Sequence, residues 1–193
     1  MEGVVGLDLS LSRTGMCYIP AHWDGDMGAL VCASVETQRE DAAYGKKHIL
    51  SRLETERYLR IAERVVKFVK RSGVKHAARE SYAYSPVKDR RGNPVQSASM
   101  TSLAELGGVI RSQLLLACAI PVVPVAPNTA RKFVTGGLKK GKQKEQVDRF
   151  LQAKGLRFNN WDEMDAFVIA YCHYGAVNDV RSRFLPQTEL DFG

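Results

Sequence analysis

Hydrophobic and polar positions along this chain divide it into segments of two different periods. Val4 to Leu7 form a short apolar run that reaches Asp8, and the segment Ser10 to Gly15 follows it. A second apolar run, Met16-Cys17-Tyr18-Ile19, comes next. The pattern predicts two antiparallel strands joined by a tight turn. Trp23 to Gly28 reads as a polar turn and Ala29 to Glu36 as a third strand, so residues 3–36 form a meander. From Lys47 to Arg71 the period lengthens: Ile49, Leu53, Ile61, Val65, Phe68 and Val69 recur at helical spacing, and Ser72-Gly73 supplies a stop. Lys75 to Arg79 is expected to be a short strand that delivers a carboxylate, Glu80, at its end.

Residues 81–97 form the longest irregular stretch, and loops of that length in a compact domain are usually functional or disordered. Residues 98–118 read as a helix. Gly107-Gly108 is costly inside it and is expected to admit a second backbone, from the sheet or from another subunit. Ile120 to Val125 is a strand. Asn128 is expected to cap a short helix through Val134, closed by Gly136-Gly137. A basic loop then leads into a helix ending at Gly155, and Asp162 to Val177 is the last long helix. The order is three strands, helix, strand, helix, strand and further helices, which specifies an α/β domain around a mixed five-stranded sheet flanked by helices. The domain is expected to span residues 1–182, with 183–193 as a flexible tail.

The chemistry begins with Asp8. Aspartate is a poor strand former and is seldom buried without a partner, so a cation should offset its charge. Glu80, Asp162 and Asp165 also stand at element ends or within apolar segments. Asp162 and Asp165 are three apart and share one helix face. Taken singly, Asp162 reads as a helix N-cap, Asp165 as part of a capping-box-like first turn, and Glu80 as an exposed strand end. Taken together, acids converging from separate elements would repel one another unless protonated or neutralised. An all-oxygen donor set of this kind suits Mg²⁺ or Mn²⁺.

Charge narrows the class of partner. The 193 residues carry 28 Lys and Arg against 21 Asp and Glu, a net charge of +7 that favours a polyanion such as nucleic acid. Basic residues concentrate at Lys88, Arg90 and Arg91 and at Lys139, Lys140, Lys142 and Lys144. Each run reads either as a solvated loop face or as a phosphate-tracking surface. The four cysteines form no CxxC pair and read as reduced core thiols. No apolar run approaches the ~20 residues of a membrane span, and Met1-Glu2 does not resemble a signal peptide. A cytoplasmic location is expected.

Five segments taken in order carry a family resemblance. GLDLSLSRTG, the strand-end Glu80, LAELGGVIRSQL, PNTARKFVTGG followed by KEQV, and WDEMDAFVIAYCH together resemble the RuvC family of Holliday junction resolvases, especially its phage branch. The resemblance runs from about residue 3 to residue 177. It implies an RNase H-like fold, a homodimer, branched DNA as substrate and two Mg²⁺ ions per active site, with Mn²⁺ able to substitute. Carried over residue by residue, the acidic metal ligands fall on Asp8, Glu80, Asp162 and Asp165. A basic catalytic residue falls on Lys144. A second basic residue falls on Arg131 or Lys132; counting back from Gly136 favours Arg131, and Lys142 is a further alternative. The family's base-stacking aromatic falls at Ala83, flanked by Tyr82 and Tyr84, one of which is expected to take the role.

Two other resemblances compete or add. GLDLSLSRTG also resembles the first phosphate motif of actin-like sugar kinases and ATPases, but those chains enclose their nucleotide with a second domain for which 193 residues leave no room. The segment Gln187-Thr188-Glu189-Leu190-Asp191-Phe192 resembles the QxxLxF peptides that dock into bacterial sliding clamps, with Gln187, Leu190 and Phe192 as the contacting residues.

Overall fold

A computed structural model describes residues 1–37, 47–81, 87–88, 94–95, 98–137 and 142–181, with the side chains of 47–51, 87–88, 94–95 and 98–99 excepted. Five strands form the main sheet: β1 (Val4–Asp8), β2 (Arg13–Ile19), β3 (Val31–Glu36), β4 (His76–Glu80) and β7 (Val122–Val125). Their spatial order is β3-β2-β1-β4-β7. The first three strands pair antiparallel, whereas β1 with β4 and β4 with β7 pair parallel. The expected mixed sheet is therefore present. Two further strands, β5 (Val87–Lys88) and β6 (Pro94–Val95), pair as a small separate ribbon within the stretch read as irregular.

β1 is central and wholly buried, so its two faces are covered by different helices. Val5 and Leu7 face α1 (Lys47–Ser72) and α2 (Ala98–Cys118), which pack on each other. On α1 the buried residues Tyr58, Ile61, Ala62, Val65 and Val69 follow the helical spacing read from the sequence. Leu106, Ile110 and Leu114 do the same on α2. Val4, Gly6 and Asp8 point to the opposite face, covered by α5 (Trp161–Asn178). Outside α5 lie α3 (Pro127–Thr135) and α4 (Gln143–Ala153). Sandwiched in this way, α5 is buried from Glu163 through Tyr171, which is why its sequence is apolar almost all round.

Glycine sets how closely α5 approaches the sheet. A Cβ at Gly6 would lie 2.2 Å from the carbonyl oxygen of Ala166, and one at Gly15 would lie 2.0 Å from that of Asp162. Backbone atoms cannot give way at such distances, so these two positions admit no side chain. Gly108 behaves differently: a Cβ there would meet nothing within 4 Å, so the close approach expected at Gly107-Gly108 is not made at that residue within this chain.

Several local expectations are corrected. Residues 27–29 form a 3-10 turn, and the third strand starts at Val31. Helix α3 begins with Pro127 at its first position, where the missing N–H is no loss, so Asn128 lies inside the helix and Ala126 is the N-cap. Its C-cap is Gly136 in the left-handed conformation (φ 77°), as expected. Cys17, Cys32, Cys118 and Cys172 are free thiols. Among the described residues, no helix is long and apolar enough to cross a membrane. The tail bearing Gln187, Leu190 and Phe192 lies outside the described residues.

Gly15→Ala should destabilise by at least the ~1–3 kcal/mol typical of overpacking, whereas Gly108→Ala should stabilise by about 0.5–1 kcal/mol through helix propensity. Thermal melts of the two variants check this, with Tm shifts of opposite sign expected.

Candidate active site

Asp8 is the last residue of β1 and Glu80 the last of β4. The parallel register pairs Leu7 with Arg79, so the two carboxylates leave adjacent strands at the same edge of the sheet. Strand alternation turns both toward α5. Their side chains are hydrogen-bonded to each other.

The turn that follows Asp8 is tied down from several directions. Thr14 Oγ1 donates to the carbonyl of Ser10 at 2.8 Å, and the Thr37 amide donates to the carbonyl of Ser12 at 2.9 Å. Arg57, buried on α1, donates to Thr37 Oγ1 at 2.9 Å, to the Thr37 carbonyl at 3.1 Å and to the Leu11 carbonyl. One guanidinium thus fastens both the β1–β2 turn and the end of β3 to a helix.

The first turn of α5 supplies the other two acids. Its N-cap is Asn160, whose side chain accepts from the Glu163 amide at 2.9 Å. Asn159 Nδ2 donates to Glu163 Oε2 at 3.1 Å, and Asn160 Nδ2 reaches Ser34 Oγ on β3 at 3.4 Å. Asn160 therefore does the capping, which corrects the reading of Asp162 as an N-cap and leaves Asp162 and Asp165 free to face the strand ends. Gly15 holds this turn against β2 through the carbonyl of Asp162.

Cations enter from the outer helices and from β2. Lys144, in the first turn of α4, places Nζ 2.5 Å from Asp165 Oδ2, and Arg131 on α3 lies 3.7 Å from Asp165 Oδ1. Arg13 is 3.9 Å from Asp162 Oδ2 and is also paired with Glu36. Lys132 is exposed and makes no ion pair with these acids among the described residues, whereas Arg131, the one of the two that counting back from Gly136 favours, lies beside Asp165. Lys142 is exposed nearby at the start of α4. Tyr82, Tyr84, Arg90, Arg91, Lys139 and Lys140 and the side chain of Lys88 lie outside the described residues.

The electrostatics express this crowding. Asp8 is 8% exposed. Burial, with the charges of Asp165, Glu80 and Asp162, pushes its pKa up to about 8, and only Lys144 pulls it down. Burial and Asp165 likewise raise Glu80, opposed by the hydrogen bond from Asp8 and by Arg131 and Lys144. Burial alone would lower Lys144, but its hydrogen bond to Asp165 and the charges of Asp165 and Asp8 outweigh that and raise it. The cation sought for Asp8 is thus Lys144, acting from across Asp165.

Hard carboxylate oxygens that repel one another are the donor chemistry that a divalent cation satisfies. Among the described residues, no three of the acids close into a ready-made metal cage as they stand, and the Lys144 ammonium rests on Asp165.

The chain superposes on the Thermus thermophilus RuvC structure with a TM-score of 0.64 at 19% identity, over 93% of this chain and 98% of that one. It has the RuvC fold. Thermus thermophilus RuvC in complex with Holliday junction substrate also matches, with a TM-score of 0.64 at 18% identity and the same coverage. No family model matches the sequence, and no curated protein matches it. Sequence reasoning missed three residues around this RuvC-like sheet edge. Asn160, Arg57 and Arg13 owe their roles to tertiary contacts, although Asn160 carried a signal as a preferred capping residue two places before Asp162.

Asp8 titrates near 8 when folded and near 3.8 when exposed. Between those values the folded chain holds a proton that the unfolded chain has released, so stability declines as pH rises through that window. In chelator, Asp8→Asn should therefore raise Tm relative to wild type, with a gain that grows from about pH 5 to about pH 8. A gain that shrinks with rising pH would contradict the assignment.

Proposed function

We propose that this chain is a metal-dependent endonuclease of the RuvC type that cuts four-way and other branched DNA. The observation that carries the reading is the convergence of Asp8, Glu80, Asp162 and Asp165 from three separate elements at one sheet edge, with Lys144 and Arg131 beside them. The fold match and the ordered motif resemblance, including its phage branch, support the same reading.

Asp8, Glu80 and the α5 pair would hold Mg²⁺, two ions on the family pattern, or Mn²⁺ in its place. Bound there, these ions would activate water and stabilise the leaving 3′-oxygen of an in-line displacement, which leaves a 5′-phosphate and a 3′-hydroxyl. The protein's own contribution is positional and electrostatic. The β-strand ends and the capped start of α5 fix the carboxylates on rigid elements. Lys144 and Arg131 place positive charge where negative charge builds on the phosphate. Lys142 and the basic segments at 88–91 and 139–140 would track neighbouring phosphates, making binding steeply salt-dependent. A homodimer would set two such sites to the two-fold symmetry of a junction, giving paired nicks.

The test is cleavage of a synthetic four-way junction beside flap, fork and linear duplex, with Mg²⁺ and with Mn²⁺. Paired nicks in the junction are expected, with linear duplex left intact. Asp8→Asn should abolish cleavage and retain junction binding, and Lys144→Ala should lower the rate on the order of a hundredfold. Normal cleavage by Asp8→Asn would refute the proposal.

A further inference from the structure

The chain has two tryptophans, and they are treated in opposite ways. Trp23 is 3% exposed, donates from Nε1 to the Asp26 carbonyl at 2.7 Å, and packs edge-on against Phe167 and Tyr171. Trp161, the first residue of α5, is 51% exposed. Among the described residues its ring makes no hydrogen bond and no ring contact. A large aromatic left open to water at this position calls for an explanation, and its surroundings supply one.

Trp161 lines a cavity of about 570 Å³ together with Arg131, Lys142, Gln143, Lys144 and Glu145. Three cations and one carboxylate line this open depression; two of the cations also meet Asp165, and Lys142 is exposed, which suits the depression to an anion. Arg131 and Lys144 are the residues that meet Asp165, so the cavity shares two of its lining residues with the acidic cluster. Trp161 precedes Asp162 and sits on a helix start pinned by Asn160, so its indole is carried on the rigid element that bears two of the acids. Phosphate-directed cations beside an accessible π-face are the two components of a single-stranded nucleic-acid site.

We propose that this cavity is a nucleotide subsite, in which an unpaired base of the DNA strand stacks on Trp161 while its phosphate lies against Lys142, Lys144 and Arg131. The proposal rests on the nuclease reading and adds to it a determinant of branch selectivity. Inside continuous duplex both faces of every base are covered by neighbours, so away from its ends a linear duplex offers no base to Trp161, whereas a branch does. Linear duplex would contact the same lysines and arginine through its phosphates alone.

Fluorescence tests this directly. Trp23 is buried and contributes a constant background, so changes in emission report Trp161. Titration of the wild-type protein with a four-way junction in chelator, where no cleavage occurs, should give a saturable change in emission, and linear duplex should give none. Trp161→Ala should keep the wild-type Tm, because the side chain is half exposed. It should lose roughly ten- to hundredfold in junction affinity, with duplex affinity unchanged, and Trp161→Phe should restore most of the loss. Tight junction binding with unchanged emission, or Trp161→Ala matching wild type on the junction, would overturn the subsite and leave the nuclease reading standing. A wild-type protein that binds no branched DNA would overturn both.

Discussion

A carboxylate held at the end of a central, fully buried strand cannot keep its charge unaided. Asp8 is in that position, and every neighbouring acid makes it worse: Glu80 from the adjacent strand, Asp162 and Asp165 from the helix pressed across the strand ends. Taken alone this is destabilising, since like charges in a poorly solvated site raise each other's pKa. The structure tolerates it because Lys144 and Arg131 stand against Asp165 and because Asp8 shares a hydrogen bond with Glu80. The balance is local: beside these cations, Asp8 keeps its proton up to about pH 8, and a divalent cation bound there would displace it.

Packing makes the crowding unavoidable. With Gly6 and Gly15 lacking side chains, α5 lies directly on β1 and β2, and its first turn drops onto the strand ends. Capping by Asn160, the Asn160–Ser34 contact and the Arg57 anchor on the preceding turn remove the freedom by which the acids would move apart. Rigid elements thus hold together charges that would otherwise separate.

Much of this was legible in the sequence, for identifiable reasons. A short apolar run ending in Asp8 and a short segment ending in Glu80 marked strand ends, and the i, i+3 spacing of Asp162 and Asp165 placed both on one helix face. Lys144 and Arg131 were reached through ordered motifs rather than through periodicity. Choosing Arg131 over Lys132 needed the helical phase: one residue turns the side chain by about 100°, and only Arg131 faces α5. The cap of α5 was misread because Asp and Asn are both good N-caps, and which one caps depends on where the backbone leaves extended conformation. Trp161 carried no periodic signal at all. Its significance lies in its exposure and in a cavity lined from three helices, α3, α4 and α5, that meet only in the folded chain.

The most direct test of this account is anomalous diffraction from crystals of the protein grown with Mn²⁺. The account predicts a metal peak at coordination distance, about 2.1 Å, from the Asp8 carboxylate and shared with Glu80 or the α5 acids, with the Lys144 ammonium drawn back from Asp165. A cluster that holds no Mn²⁺ at millimolar concentration, with Lys144 still resting on Asp165, would contradict it.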